Sequence, residues 1–235
     1  TITRRAVNVS PVVVGIAMPV VVHGAAGMSV EASTCGGRDG ARRGAYFERV
    51  VGAALEQWLD ARPAVTHLFH DVSDLARVPG SGMKALHLGS MNIDHVVLAG
   101  STWLLVDAKG VGEGVLRVVD GVGGLERKDG THTAQPWMDD VKSYSRAGAL
   151  FRMTNRKPGT LVTVIPDHTD CDTSIVSARF MDRGGSVVTP SQIVGGDLEQ
   201  LLKGHTAAVD PLDVARIAAR CSSAGPNAAV PVSGL

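Results

Sequence analysis

Two carboxylates and a lysine fall close together along a stretch that reads as one β-hairpin. The stretch is Asn92-Ile93-Asp94-His95-Val96-Val97-Leu98, then Ala99-Gly100-Ser101-Thr102, then Trp103-Leu104-Leu105-Val106-Asp107-Ala108-Lys109-Gly110. Two β-branched or apolar runs around a short loop with Gly and Ser signal a hairpin. A loop over Ala99 to Thr102 pairs Leu98 with Trp103, and counting back sets Asp94 opposite Asp107. Cross-strand neighbours of that kind stand about 5 Å apart at Cβ. Like charges so placed repel, and a cation between them removes the conflict. Lys109 lies two residues past Asp107 and projects from the same face. Two carboxylates and an ammonium on one face suit a divalent metal and an activated water.

A lone Asp-x-Lys is ordinarily a solvated surface pair. Here Leu104 to Val106 is apolar on both faces, so Asp107 ends a strand with buried character. A charge buried there is costly unless it is paired or ligates metal. Ile93 to Leu98 has the same character.

These residues need elements to hold them. Arg43 to Leu59 reads as a helix, because Phe47, Val50, Val51, Ala54, Leu55 and Trp58 recur at helical spacing and Arg62-Pro63 follows. Glu48 falls at the edge of its apolar face, either as a partner for Arg or as a site residue pointing at the sheet. Gly44 and Gly52 lie on roughly that side, where a missing Cβ permits close approach. Val65 to Val72 is the expected first strand, and Leu75 to Gly89 a Gly-, Pro- and Ser-rich loop. After the hairpin come short strand pieces at Gly114 to Val119 and Leu125 to Lys128. Pro136 opens a helix to about Phe151, with the stripe Trp137, Val141, Tyr144, Gly148 and Phe151. Thr160 to Pro166 and Ile175 to Met181 read as strands, as does Ser186 to Thr189. Pro190 to Leu202 reads as a helix capped by Thr189 or Ser191. Asp210-Pro211 begins a last helix to about Cys221, and a disordered tail follows from Ala224. The class is α/β (α+β), a mixed sheet flanked by helices.

The order of helix with Gly44-x-x-x-Glu48, then Asn92-Ile93-Asp94-His95-Val96-Val97, then Leu104-Leu105-Val106-Asp107-Ala108-Lys109-Gly110, then a Gly-rich patch and Gln135-Pro136-Trp137, resembles one family. It is similar to the nuclease-related domain (NERD), a branch of the PD-(D/E)xK nuclease superfamily with the restriction-endonuclease-like fold. The resemblance runs from about Gly40 to about Leu202. It implies a Mg²⁺- or Mn²⁺-dependent deoxyribonuclease that hydrolyses DNA phosphodiester bonds. It implies Asp94 and Asp107 as metal ligands, the Ala108 carbonyl as a third, and Glu48 as the helix acid that completes the site. Lys109 then orients or deprotonates the attacking water, and Gln135 touches substrate or site. Two positions depart from the pattern. The second acid is Asp107 where Glu is common, and Thr133-Ala134 precedes Gln135 in place of Asn-Pro. Oxygen donors suit Mg²⁺ or Mn²⁺ better than Zn²⁺, which favours His and Cys. His95 is read as structural or as a partner to the site, His67 and His70 as strand-edge residues, and Tyr144 as core.

Whole-chain properties narrow the alternatives. With 235 residues and 44% apolar content the chain can bury a sizeable core. Lys and Arg equal Asp and Glu at 23 each, so no overall basic nucleic-acid footprint exists. Local basic patches do exist, at Arg38, Arg42, Arg43 and Arg49 and at Arg146, Arg152, Arg156 and Lys157. Cys35, Cys171 and Cys221 form no Cys-x-x-Cys pair, which argues against structural zinc and suits a reducing, cytoplasmic compartment. Residues 11–28 are nearly uncharged. They read as a membrane contact, a cleaved leader or packed strands. The expected organisation is therefore 1–38 apolar segment, 39–205 nuclease-like domain, 206–235 helix and tail. The rival function is a non-cleaving nucleic-acid-binding or interaction module on the same fold, within a membrane-associated, mobile-element or toxin protein. A homodimer is one assembly open to either.

Overall fold

Two hydrophobic runs bury both of their faces and so become central strands. The computed structural model describes residues 19–28, 37–72, 92–138, 160–172, 185–202 and 208–221. Its elements are β1 (Val21–His23), α1 (Gly37–Asp60), β2 (Thr66–Val72), β3 (Ile93–Ala99), β4 (Thr102–Ala108), β5 (Gly114–Val119), β6 (Val122–Glu126) and β7 (His132–Ala134). There follow a 3₁₀ turn at Pro136–Met138, β8 (Thr160–Val164), β9 (Thr169–Cys171), β10 (Gly185–Val188), α2 (Pro190–Gly195), a 3₁₀ turn at Glu199–Leu202, and α3 (Pro211–Ala218).

The larger sheet has the order β1-β2-β3-β4-β8-β10 and the smaller one β7-β6-β5-β9. In the larger sheet β2, β3 and β4 run antiparallel in succession, while β1, β8 and β10 join in parallel. Mixed pairing and flanking helices make this an α/β (α+β) protein, the class expected from the sequence.

Strand parity divides the core. Val97, Ala99, Leu104 and Val106 meet Phe47, Val51, Leu55 and Trp58 of α1 on one face. Val96, Leu98, Trp103 and Leu105 meet Ile217 of α3 on the other. Burial on both faces explains why β3 and β4 read as continuous apolar runs rather than alternating ones. A third cluster, Leu116, Leu125, Met138 and Ile165, sits under the smaller sheet.

The hairpin keeps its expected register, Leu98 opposite Trp103. Its turn is tighter than expected, because Ala99 pairs with Thr102 and leaves only Gly100-Ser101 in the loop. Gly100 has φ 58°, the first central position of a type II′ turn.

Several boundaries differ from the sequence reading. The first helix begins at Gly37, a turn and a half before Arg43. Val21–His23 adds an edge strand paired with His67–Phe69 of β2, so part of the N-terminal segment packs as a strand. β7 and β9 were not expected, and β6 begins at Val122 rather than Leu125. The helix expected over Pro190 to Leu202 breaks after Gly195, where Gly196 turns left-handed at φ 89° and only a 3₁₀ turn follows. The helix expected to run past Met138, the strand expected at Ile175 to Met181, the loop expected at Leu75 to Gly89, Tyr144, Cys35 and the tail lie outside the described residues. Among the described residues no helix is long and apolar enough to cross a membrane.

Two local devices give measurable predictions. Gly27 holds φ 79°, and a Cβ there would meet the Ala45 carbonyl oxygen of α1 at 2.7 Å. Gly27→Ala should therefore cost about 1–3 kcal/mol, from left-handed strain plus overpacking; a urea midpoint unchanged from wild type would contradict this. Thr189 caps α2 in a capping box with Gln192, whose side chain accepts from the Thr189 N–H at 2.8 Å. Thr189→Ala should cost about 1 kcal/mol in the same experiment.

Candidate active site

The site forms where β3 begins and β4 ends. The last paired residues of this ladder are His95 and Val106, so Asp94 and Asp107 stand one step beyond it, in register with each other. Beyond the ladder a side chain takes over as acceptor, and the Ala108 N–H donates to Asp94 Oδ2 at 2.7 Å. Both backbone groups of a strand residue face the same neighbour, so the Ala108 carbonyl is directed to the Asp94 side. On the other side the Lys109 N–H donates to the Val164 carbonyl of β8 at 2.8 Å, which fixes the chain just past Asp107. Lys109 Nζ donates to Asp107 Oδ1 at 2.9 Å, with the lysine partly exposed.

Helix α1 brings the third acid. Phe47 lies against Gly110, whose Cβ position is 3.6 Å from Phe47 Cβ, so this part of α1 sits at the end of β4. Further along, Gly52 lets α1 approach β2 closely, since a Cβ there would stand 3.1 Å from the His70 ring. Glu48, between these contacts, is only 5% exposed. The sequence placed it at the edge of the buried face, and the structure places it inside. Its Oε2 is buried without a hydrogen-bond partner. Burial first, then the charges of Asp94, Asp71 and Asp107, push its carboxyl up to about 8, against a smaller opposing effect of Lys109. Lys109 and Asp107 are thus in contact, Asp94 stands in register with Asp107, and the charges of all three act on Glu48.

Gln135 is engaged elsewhere. Its N–H donates to Gly123 O of the smaller sheet at 2.9 Å, and its Oε1 accepts from Trp137 Nε1 at 2.9 Å. It precedes a 3₁₀ turn.

Beneath the acids lies a histidine pair. His70 Nδ1 and His95 Nδ1 are 2.8 Å apart, so one donates and the other accepts. His70 Nε2 also lies 3.4 Å from Glu56 Oε1. His70 is thus a buried residue and not a strand-edge residue, because it pairs with His95 of β3 and its ring lies under Gly52 of α1. His95 is fully buried, and burial together with the neighbouring His70 holds its pKa well below the usual imidazole range. A neutral imidazole is what such a packed position admits. His67 is not at the edge either: it pairs with Val21 of β1 and Leu98 of β3, and His23 Nε2 lies 3.1 Å from its Nδ1.

Asp71 is the acid that the sequence reading missed. It is fully buried near the end of β2 and acts on Glu48 ahead of Asp107. No hairpin or helix spacing marks it, and its sequence signal is slight: an acid at the end of an otherwise apolar strand. Cys221 pairs in a bridge with Val72. Burial and then Asp71 push its thiol up to about 11, so it stays protonated at neutral pH.

Among the described residues no group of three or more His, Cys, Asp or Glu side chains is arranged to hold a metal ion. Asp94 and Asp107 are turned to the chain's own donors, Ala108 and Lys109. The donor chemistry still fits a hard cation. All the donors are oxygens, and the Glu48 Oε2 is buried without a hydrogen-bond partner.

No protein-family model matches this chain. No curated protein matches it. Among solved structures, the chain is similar to the crystal structure of protein VC1899 from Vibrio cholerae, with 15% sequence identity and a TM-score of 0.43. The similarity covers 72% of this chain and 37% of that one, so the chain spans little more than a third of that protein's length.

Proposed function

We propose that this protein is a divalent-metal-dependent nuclease acting on DNA, with its centre at Glu48, Asp94, Asp107 and Lys109. The observation that carries the reading is the buried Glu48 carboxyl, whose Oε2 has no hydrogen-bond partner and on which the charges of both hairpin acids and of Lys109 act. Burying acids together is costly, and a site that keeps them is built to receive positive charge. Asp94, Asp107, Glu48 and the Ala108 carbonyl would hold Mg²⁺ or Mn²⁺. Such an ion, when bound, supplies a water of lowered pKa and neutralises phosphate charge.

The chain's own residues do the rest. Lys109 is positioned by its bond to Asp107 and is partly exposed, and its other two ammonium protons would orient a water or a phosphate oxygen. Arg42, Arg43 and Arg49 are exposed on α1, with Tyr46 65% exposed among them. Arg42, Tyr46 and Arg49 share one helix face by their spacing. Cationic side chains around an exposed ring suit a phosphate backbone and an unstacked base. This local patch answers the zero net charge of the whole chain.

The test is nicking of supercoiled plasmid and degradation of single-stranded DNA with Mg²⁺, Mn²⁺ or EDTA. Cutting in either metal and none in EDTA is expected. DNA binding without cutting would favour the interaction-module reading instead.

A further inference from the structure

The buried ring of His70 meets helix α1 at two places and strand β3 at a third. A Cβ on Gly52 would stand 3.1 Å from its Cε1 and 3.6 Å from its Nδ1, so the helix backbone rests on this edge of the ring. One turn further along α1, Glu56 Oε1 lies 3.4 Å from His70 Nε2. On the strand side, His70 Nδ1 and His95 Nδ1 are 2.8 Å apart, and the two rings meet edge to face with centroids 5.0 Å apart. Glu48, Gly52 and Glu56 follow at intervals of four and so share one face of α1. The face that rests on His70 is therefore the face that carries Glu48. His95 in turn follows Asp94 directly and pairs with Val106, the residue before Asp107. One ring thus joins the helix of the buried acid to the strands of the hairpin acids.

We propose that His70 is a positioning residue of this centre: under Gly52 and held by His95, its ring sets the height of α1 over the sheet, and so the place of Glu48 against the ends of β3 and β4. This rests on the reading of Glu48, Asp94, Asp107 and Lys109 as a metal-dependent nuclease, and adds a residue that acts through Glu48 rather than on metal or substrate. A close-packed ring with a glycine directly above it is a spacer that cannot shrink or yield. Chemistry at such a centre is sensitive to spacing, since a misplacement of about 1 Å can slow a reaction by about 100-fold.

The experiment measures single-turnover DNA cleavage and, by calorimetry, Mn²⁺ affinity of the full chain, for wild type, His70→Asn, Gly52→Ala and the double variant. His70→Asn keeps an amide near the place of Nδ1, to meet His95, but takes the ring from under Gly52. Gly52→Ala leaves both histidines in place and crowds the ring, and the better helix propensity of alanine offsets part of that crowding in stability. Each single variant should cut at least about tenfold more slowly, and bind Mn²⁺ more weakly, at temperatures where its melting curve shows it folded. In the double variant the smaller Asn makes room for the new methyl, so cutting should exceed the product of the two single effects by about threefold or more. Wild-type rate and affinity in both single variants, with cutting lost in Asp107→Ala, would overturn this inference and leave the nuclease centre standing. Lower melting temperatures with rate and affinity unchanged would mean a structural role only, and would overturn it too. Effects that simply multiply in the double variant would do the same, because the contact would then transmit nothing. Neither cutting nor Mn²⁺ binding by wild type would overturn both readings. If His70→Asn does not fold, Gly52→Ala alone decides, and an unchanged rate and affinity there contradict the inference.

Discussion

Asp107→Ala and Lys109→Ala are each expected to slow DNA cleavage by at least about 100-fold under single-turnover conditions, the usual scale for a group that acts on the attacking water. The two substitutions remove different things. Asp107→Ala takes away a carboxylate that would hold the cation and also leaves Lys109 without its acceptor at 2.9 Å. Lys109→Ala keeps the acids and removes only the ammonium, so Mn²⁺ should still bind while cleavage is lost. Because the two groups act as a unit, the double variant should be little worse than the poorer single one. Stability separates a broken fold from a broken site. Asp107→Asn keeps the shape of the side chain while weakening its tie to Lys109, so its melting temperature without metal shows whether a loss of cleavage comes with a loss of folding. Full cleavage by either Ala variant would remove these residues from the chemistry.

The second large effect is a pH dependence that Glu48 imposes on folding. Its carboxyl is raised from 4.5 to about 8, chiefly by burial and then by Asp94 and Asp71. Between those values the native protein keeps a proton that the unfolded chain has released. Stability without metal is therefore highest below about pH 4.5 as far as this group is concerned, and falls as pH rises towards about 8. The slope can reach about 1.4 kcal/mol per pH unit for one group. Glu48→Gln cannot release that proton, so it should flatten the slope and be more stable than wild type in EDTA at about pH 8.5, with the difference shrinking towards about pH 5. Saturating Mn²⁺ should reverse the order, because the ion binds the charged form. Urea unfolding of the two proteins across that range, with and without metal, reads this directly. Parallel stability curves in EDTA would rule out Glu48 as the group responsible.

The sequence made the hairpin legible because apolar runs on both sides of Gly100-Ser101 leave one sensible register, and that register brings Asp94 opposite Asp107. Glu48 was legible only as a helical position. How far it is buried depends on Gly52 and Gly110, where absent side chains let the helix and the strand end come together. The strand Val21–His23 was harder to see. It pairs in parallel with a strand more than forty residues later, and its two valines are exposed at the edge, so no alternation announces it. The early start of α1 was hidden because Gly37 to Arg42 carries little apolar pattern. The three-residue strands β7 and β9 are too short to show a period. The helix after Thr189 was read too long, since the Gly195-Gly196 stop lies inside a run that otherwise continues. Asp71 and the His70–His95 pair are products of tertiary approach, between strands separated by a long connection. No local spacing could have joined them.

On the proposed reading, Glu48, Asp94, Asp107 and Lys109 make a hydrolytic centre that works with a divalent ion. The most direct measurement is the cleavage of end-labelled single- and double-stranded DNA by purified wild type beside Asp107→Ala, in Mn²⁺ and in EDTA. Wild type should cut in Mn²⁺ and not in EDTA, and the variant in neither. Equal cutting by both proteins, or none by wild type on either DNA with Mn²⁺ bound, would contradict it.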